Sequence, residues 1–255
     1  MEAKYSRTDL LLGEDEARWL RKQTVTIVGI GAVGGYALEG LARVGINHFR
    51  LVDFDTVSAS NINRQIHALE STIGVRKIDI AKKRVLDINP CCTVDLYPEF
   101  VCSDTVAKLL RHPTAILVDA IDSLSPKLAL LEEAYRLNMP VVSSMGAALR
   151  TDPTKIRVAD LMETCKCPLA KHVRKKLRRR DIGTGITAVF SSEDVIFDYH
   201  KQKQVDGEDT RQFRGRQRNT LGSLPTLTGI FGLTVANTVI LKLLESYRTM
   251  VSSQC

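Results

Sequence analysis

The 255-residue sequence has six cysteines, Cys91, Cys92, Cys102, Cys165, Cys167 and Cys255, yet no two of them stand in a C-x-x-C pair. A tetrahedral zinc site of the usual kind, built from closely spaced thiolate pairs, is excluded. Scattered thiols, and a first 23 residues charged throughout with no secretory leader, lead us to expect a reducing compartment, the cytoplasm. Charge is missing from residues 219–241, a stretch long enough to cross a bilayer. It nevertheless carries Pro225, Asn237, three glycines and five threonines, so it reads as a helix buried in protein over 220–246 and not as a membrane span. Carboxylates are missing from residues 166–180, which hold eight lysines and arginines. Those eight taken from the chain's 36 leave 28 basic against 29 acidic residues, so the net charge of +7 is one local patch.

What is present begins at Thr24. A β-branched run ends on Gly29 and is followed by G-x-G-x-x-G and a helix of small residues reaching to Gly45. The three glycines have separate tasks: Gly29 makes a tight turn, Gly31 lets backbone approach a phosphate, and Gly34 lets the helix sit close on the strand. The helix N-terminus then presents unpaired N–H groups to an anion. This half fits dinucleotide enzymes as well as it fits ATP. Residues 48–52 read as the next strand and deliver Asp53 where a Rossmann acid would hold ribose hydroxyls. Beyond it come Asp55, Asn61, Arg64 and then Lys77, and a dehydrogenase has no use for this cluster. A triphosphate does need cationic and amide donors, because charge develops at its α-phosphate.

Further along, helices are expected over 15–21, 76–88, 105–110 and 126–137, and strands over 93–96, 115–118 and 141–143. Four or five parallel strands joined by helices give an α/β, Rossmann-like, doubly wound and mostly parallel sheet in one domain, with ligands at the carboxyl ends of the strands. Gly31, Asp53, Asn61 and Asp122 all fall at such ends. Beyond Asp152, strands over 156–158 and 187–190 flank a basic helix over 168–180, on which Leu169, Val173 and Leu177 recur every fourth residue. Its cations Lys171, Arg174, Lys175, Lys176, Arg178, Arg179 and Arg180 form either a solvated face or a surface for phosphates. The polar segment 201–218, with Arg211, Arg214, Arg216 and Arg218, extends that surface. Neither segment offers a set of aromatic platforms for reading single-stranded bases. Cys165 and Cys167 could accept a sulfur or a covalent intermediate, but loop cysteines are usually bystanders.

The stretch D-F-D-T-V-S-A-S-N-I-N-R-Q followed by G-V-R-K resembles the D-x-D-x-V-x-x-S-N-x-x-R-Q…G-x-x-K pattern of the ThiF and MoeB superfamily, relatives of the ubiquitin activators that adenylate carboxylates. Tyr5-Ser6-Arg7 with Gly13 resembles the superfamily's N-terminal arginine, which in dimeric members reaches into the partner's site. Asn89-Pro90, 119–123, 144–147, 152–156, Pro168-Leu169-Ala170 and 189–193 look like the tRNA threonylcarbamoyladenosine dehydratases, and the tail 221–232 looks closer to their eukaryotic branch. Cys167 stands where relatives commonly place an acid before Pro-Leu.

The resemblance implies a ThiF-type fold with residues 1–160 binding ATP, a basic insertion over 161–219 for RNA, and the C-terminal helix. It implies ATP along the glycine turn, Asp53 on the ribose, Asn61, Arg64 and Lys77 on the phosphates, Mg²⁺ on Asp122, and Arg7 acting across a homodimer. The reaction implied is ATP-dependent ring closure of N6-threonylcarbamoyladenosine in tRNA, with a sulfur-relay protein as a candidate partner and a mitochondrial association open for a eukaryotic source. The alternative is adenylation of a ubiquitin-like or sulfur-carrier protein. Each site residue also has a plainer reading: Asp53 as a turn cap, Lys77 as an exposed helix lysine, Arg64 as a structural ion-pair partner.

Overall fold

The computed structural model describes residues 3–195 and 221–253, so the expectation for Arg211, Arg214, Arg216 and Arg218 lies outside the described residues. Two helices open the chain, α1 (Ser6–Leu12) and α2 (Glu14–Arg21). The β-branched run forms β1 (Thr24–Val28), which leads through the glycine turn into α3 (Gly34–Val44) and back to β2 (His48–Val52). Then follow α4 (Lys77–Ile88), β3 (Thr93–Tyr97), α5 (Ser103–Leu110), β4 (Ile116–Asp119), α6 (Leu124–Arg136) and β5 (Val141–Ser144). The last part holds β6 (Ile156–Asp160), α7 (Pro168–Arg178), β7 (Thr187–Ser191) and α8 (Pro225–Ser252).

The seven strands make one sheet in the order β3-β2-β1-β4-β5-β7-β6, parallel everywhere except for β6 against β7. Six parallel strands therefore replace the four or five expected, because β7 joins β5 instead of standing apart with β6. Since β1 has β2 on one side and β4 on the other, successive crossovers part there and open a crevice at the strands' carboxyl ends. One buried cluster packs α3 and α8 against one side of the sheet, and a second joins α5, α6 and α7 on the other.

Several boundaries differ from the sequence reading. The C-terminal helix starts at Pro225, a residue suited to a first turn because its missing N–H has no partner there anyway, and it runs to Ser252 instead of ending at 246. Its charge-free half is explained by packing: a Cβ on Gly232 would lie 2.4 Å from the Val33 carbonyl oxygen, and one on Gly40 would lie 2.9 Å from the Ala236 methyl. This is the one helix among the described residues long and apolar enough to cross a membrane, and 61% of its most apolar window is buried in the fold. The basic helix stops at Arg178, leaving Arg179 and Arg180 in the turn beyond it.

Candidate nucleotide site

The turn after β1 needs glycine at Gly29 and Gly34 for steric reasons. Gly29 has φ +90°, and a Cβ there would stand 2.8 Å from the carbonyl oxygen of Ala120, where β1 and β4 part. A Cβ on Gly34 would lie 1.8 Å from the carbonyl oxygen of Gly29, so only glycine lets α3 begin this close to its strand. Above Gly31 the space is open, the nearest atom being the Gln65 amide nitrogen at 3.8 Å. A phosphate can therefore reach both the backbone and the first N–H groups of α3.

Asp53 leaves the end of β2 and is buried. The Ile30 N–H donates to its Oδ2 at 2.6 Å and the Asp55 N–H to its Oδ1 at 2.9 Å, so it ties the glycine turn to the acidic loop. Turn cap and ribose acid are compatible readings, because each carboxylate oxygen keeps a second lone pair. Burial raises its pKa above the usual carboxylate value, and the Lys77 charge opposes that shift. The loop carrying Asp55 is zipped to the residues before α4: the Val57 N–H donates to the Val75 carbonyl at 2.9 Å and the Lys77 N–H to that of Asp55 at 3.0 Å. This brings the buried Lys77 ammonium to 2.8 Å from Asp55 Oδ2, so Lys77 is not an exposed helix lysine.

Asn61 closes a short 3-10 turn (Ala59–Asn61), is buried, and accepts the Ser58 N–H at 3.2 Å. Arg64 is half-buried, and its Nη1 donates to the Ser60 carbonyl and to Asn63 Oδ1, both at 2.8 Å. It makes no ion pair, which sets aside that plainer reading among the described residues. Sequence reasoning left Gln65 and His67 unassigned, although both follow directly on Arg64. Both are buried, Gln65 over Gly31 and His67 against Gly35, and burial pushes the His67 imidazole down to about 4.

At the end of β4 the structure adds a network absent from the sequence reading. Asp119 and Lys127 are fully buried and paired at 2.5 Å. Lys127 Nζ also donates to Ser143 Oγ at 3.3 Å and to the Ser144 carbonyl at 2.9 Å, while Ser143 Oγ donates to Asp119 Oδ2 at 2.6 Å. The other Asp119 oxygen accepts the Ile121 N–H at 3.1 Å, which fixes the turn that presents the exposed Asp122. The only trace in the sequence was a lysine eight residues after a strand-end aspartate, in the first turn of the next helix.

Two expected groups lie elsewhere. Arg7 is exposed on α1, which is anchored by Lys4 on Asn89 at 3.0 Å and by Tyr5 beside Gly45, at the far end of α3 from the glycine turn. Its own site is out of its reach. On α7, Val173 and Leu177 are buried and Leu169 half-buried, while Lys171, Lys175, Lys176 and Arg178 are exposed, as is Arg179 in the turn beyond it. Arg174 is half-buried and donates to Thr164 Oγ1, and Arg180 pairs with Glu132.

The pattern of the ThiF family matches residues 5–254. The chain belongs to the ThiF family. Among its curated relatives, the tRNA threonylcarbamoyladenosine dehydratase of Bacillus subtilis is 36% identical over 242 residues, covering 95% of each chain. The tRNA threonylcarbamoyladenosine dehydratase 2 of Saccharomyces cerevisiae is also 36% identical over 242 residues, which are 90% of this chain and 54% of the yeast one. Whole-chain identity therefore does not favour the eukaryotic branch suggested by the tail. The crystal structure of the Escherichia coli dehydratase TcdA in complex with ATP superposes with a TM-score of 0.85 at 31% identity, covering 96% of both chains. In this fold the glycine turn is tied to Asp53 through the Ile30 N–H, and Lys77 reaches the same loop through Asp55. Arg64 is half-buried on the loop that carries Asn61, and Asp122 is exposed just beyond the end of β4.

Proposed function

We propose that the protein is an ATP-dependent tRNA threonylcarbamoyladenosine dehydratase that activates a carboxylate by adenylation. The observation that carries this reading is the open space over Gly31, at the start of a helix, with the buried Gln65 amide 3.8 Å away and the buried Asp53 bonded to the adjoining Ile30 N–H. The whole-length likeness to dehydratases, one of them solved with ATP, supports it.

In this reading ATP lies along residues 29–34, with its ribose on Asp53. Asn61 and Lys77 hold the phosphates, and Lys77 divides its charge between them and Asp55. Arg64 exchanges its bonds to Ser60 and Asn63 for phosphate oxygens. Asp122 suits Mg²⁺, because this ion takes one or two carboxylates and fills its remaining positions with water and phosphate oxygens. When bound, Mg²⁺ offsets the like charges that otherwise repel an incoming carboxylate. The threonyl carboxylate of the modified adenosine attacks the α-phosphorus and pyrophosphate leaves. The neighbouring carbamoyl group then attacks the activated carbonyl, AMP departs with one carboxylate oxygen, and a ring closes with net loss of water. The nucleophile is already within the same molecule, so no enzyme cysteine is required.

The exposed cations of α7 and of the turn after it, Lys171, Lys175, Lys176, Arg178 and Arg179, bind tRNA phosphates, with Arg174 and Arg180 at the margin in their contacts to Thr164 and Glu132. The protein acts as a homodimer in the cytoplasm, and Arg7 completes the partner's site. The reading is tested by incubating substrate tRNA with protein and ATP and weighing the nucleosides released on digestion. Loss of one water from threonylcarbamoyladenosine, with AMP and pyrophosphate formed in step, is expected. AMP formed only with a Gly-Gly-ended carrier protein, and no mass change in tRNA, would overturn it.

A further inference from the structure

The cations of α7 stand on a helix whose direction is fixed at both ends. Its first turn lies at the carboxyl edge of the sheet, where a Cβ on Gly146, two residues past β5, would be 3.7 Å from Cys167 Sγ and 3.9 Å from the Leu169 Cβ. Its far end lies against the second half of α6, where Arg180 pairs with Glu132 and a Cβ on Gly185 would reach the Tyr135 ring at 4.0 Å. Helix α6 itself runs from the carboxyl end of β4 back to the start of β5. So α7 begins beside the edge on which the crevice opens and runs away from it down the flank of the sheet. At 1.5 Å per residue, its 11 residues carry it about 16 Å.

Ala170, Val173 and Leu177 turn inward, so Lys171, Lys175 and Arg178 share the outward side at helical spacings of four and three. Lys176 stands on the flank of this row, and Arg179 extends it in the turn beyond. Neighbours along the row are about 5–6 Å apart, close to the separation of successive phosphates on one nucleic-acid strand. None of the five has a carboxylate partner among the described residues, so their charge is open to a ligand.

We propose that this row lies along the phosphate backbone of paired RNA, the stem that closes the loop whose adenosine reacts. The inference rests on the tRNA reading above and names the part of the RNA that α7 holds. The reacting group hangs on N6, at the base-pairing edge of the adenine, so the base must be unpaired to enter the crevice. With a loop nucleotide placed there, its strand runs over the edge of the sheet and down α7. Arg178 stands about 15 Å along the helix from its start, a few nucleotides from the reacting base, where the loop has given way to the stem. The surface chemistry agrees. Holding a single strand takes rings on which bases stack, and the outward face of α7 has one ring, His172, among its cations. Paired A-form RNA hides its bases and presents phosphates and 2′-hydroxyls, which cations alone can hold. Contact of this kind positions the RNA without reading its sequence, so selection belongs to the crevice.

Fluorescence anisotropy on the full chain tests this with three RNAs of equal length: a hairpin with an adenosine in its loop, the same hairpin with every stem pair reversed, and a single strand that cannot pair. Each is titrated with wild type and with the double variant Lys175→Glu, Arg178→Glu, whose cooperative unfolding is checked against wild type. Wild type is expected to bind the two hairpins alike and the single strand at least about tenfold more weakly. The double variant is expected to lose at least about tenfold in affinity for both hairpins and less than about twofold for the single strand. An equal loss on hairpin and single strand, or a hairpin affinity that follows the stem sequence, would overturn the stem assignment and leave the tRNA reading standing. Unchanged hairpin affinity in the double variant would make the row a solvated face and overturn the inference too. Failure of the tRNA reading has its own signature: ATP and substrate tRNA would then yield no loss of water in the nucleosides, whatever α7 binds.

Discussion

Replacing Lys127 with methionine would leave the Asp119 carboxylate alone in a place with no solvent, since both side chains are fully buried. Every donor of the ammonium is used, on Asp119 Oδ2, Ser143 Oγ and the Ser144 carbonyl, and Ser143 relays a further bond to Asp119. No water can replace the lost partner, so the carboxylate either stays charged in a low dielectric or takes up a proton at a cost. Breaking a buried pair by removing one member destabilises by about 3–5 kcal/mol. For a chain of this size, about 2–4 °C per kcal/mol makes the fall in Tm roughly 6–20 °C. The assay is thermal unfolding followed by circular dichroism, at fixed protein concentration and without ATP, because both ligand and association shift Tm. The double variant Lys127→Met with Asp119→Asn removes the stranded charge and keeps an acceptor for the Ile121 N–H, so it should recover most of the loss. A single variant within about 1 kcal/mol of wild type, or a double variant no better than the single, would refute the reasoning.

Gly31→Ala should fold normally, its new methyl meeting only the Gln65 amide at 3.8 Å, yet weaken ATP binding at least about tenfold, or 1.4 kcal/mol; unchanged affinity in calorimetry would move the phosphates elsewhere. Gly34→Ala should fail to fold, since its methyl would collide with the Gly29 carbonyl oxygen. Asp122→Ala is expected to abolish turnover while keeping much of the ATP affinity, and retained turnover would remove Asp122 from the Mg²⁺ role. Reversing the charge of Lys175, Lys176, Arg178 and Arg179 should weaken tRNA binding, lower the slope of log affinity against log salt by about 3, and leave ATP binding alone; an unchanged slope would make α7 a solvated face. Burial holds His67 at about 4 against 6.5 when unfolded, so between these pH values the unfolded chain binds the extra proton. Stability should fall by up to about 3 kcal/mol as pH drops from 6.5 to 4, and His67→Leu should flatten that fall in urea titrations; an unaltered pH profile would exclude His67 as its source.

Local chemistry was legible wherever spacing along the chain sets geometry. The β-branched run, the glycine turn, the acid at the end of the next strand and the small-residue helix follow from nearest-neighbour sterics, and the structure repeats them nearly residue for residue. The stripe of Leu169, Val173 and Leu177 likewise announced which side of the basic helix turns inward. The strand count was misjudged because β7 earns its place by pairing with β5, more than 40 residues earlier, and no local pattern records that partner. For the same reason the spacing of Asp119 and Lys127 gave no sign that the fold would bury them together.

The sequence by itself determined the glycine turn after β1 and the acid at the end of β2, because these depend on residue type at fixed separations along a short stretch of chain. Only the tertiary structure decided that Lys77 is buried against Asp55, that Arg64 rests on its own loop, and that Arg7 stands at the far end of α3 from the site its chain forms. Those outcomes depend on which surfaces meet when distant segments pack, and side-chain spacing along a chain carries no record of what will lie across from it.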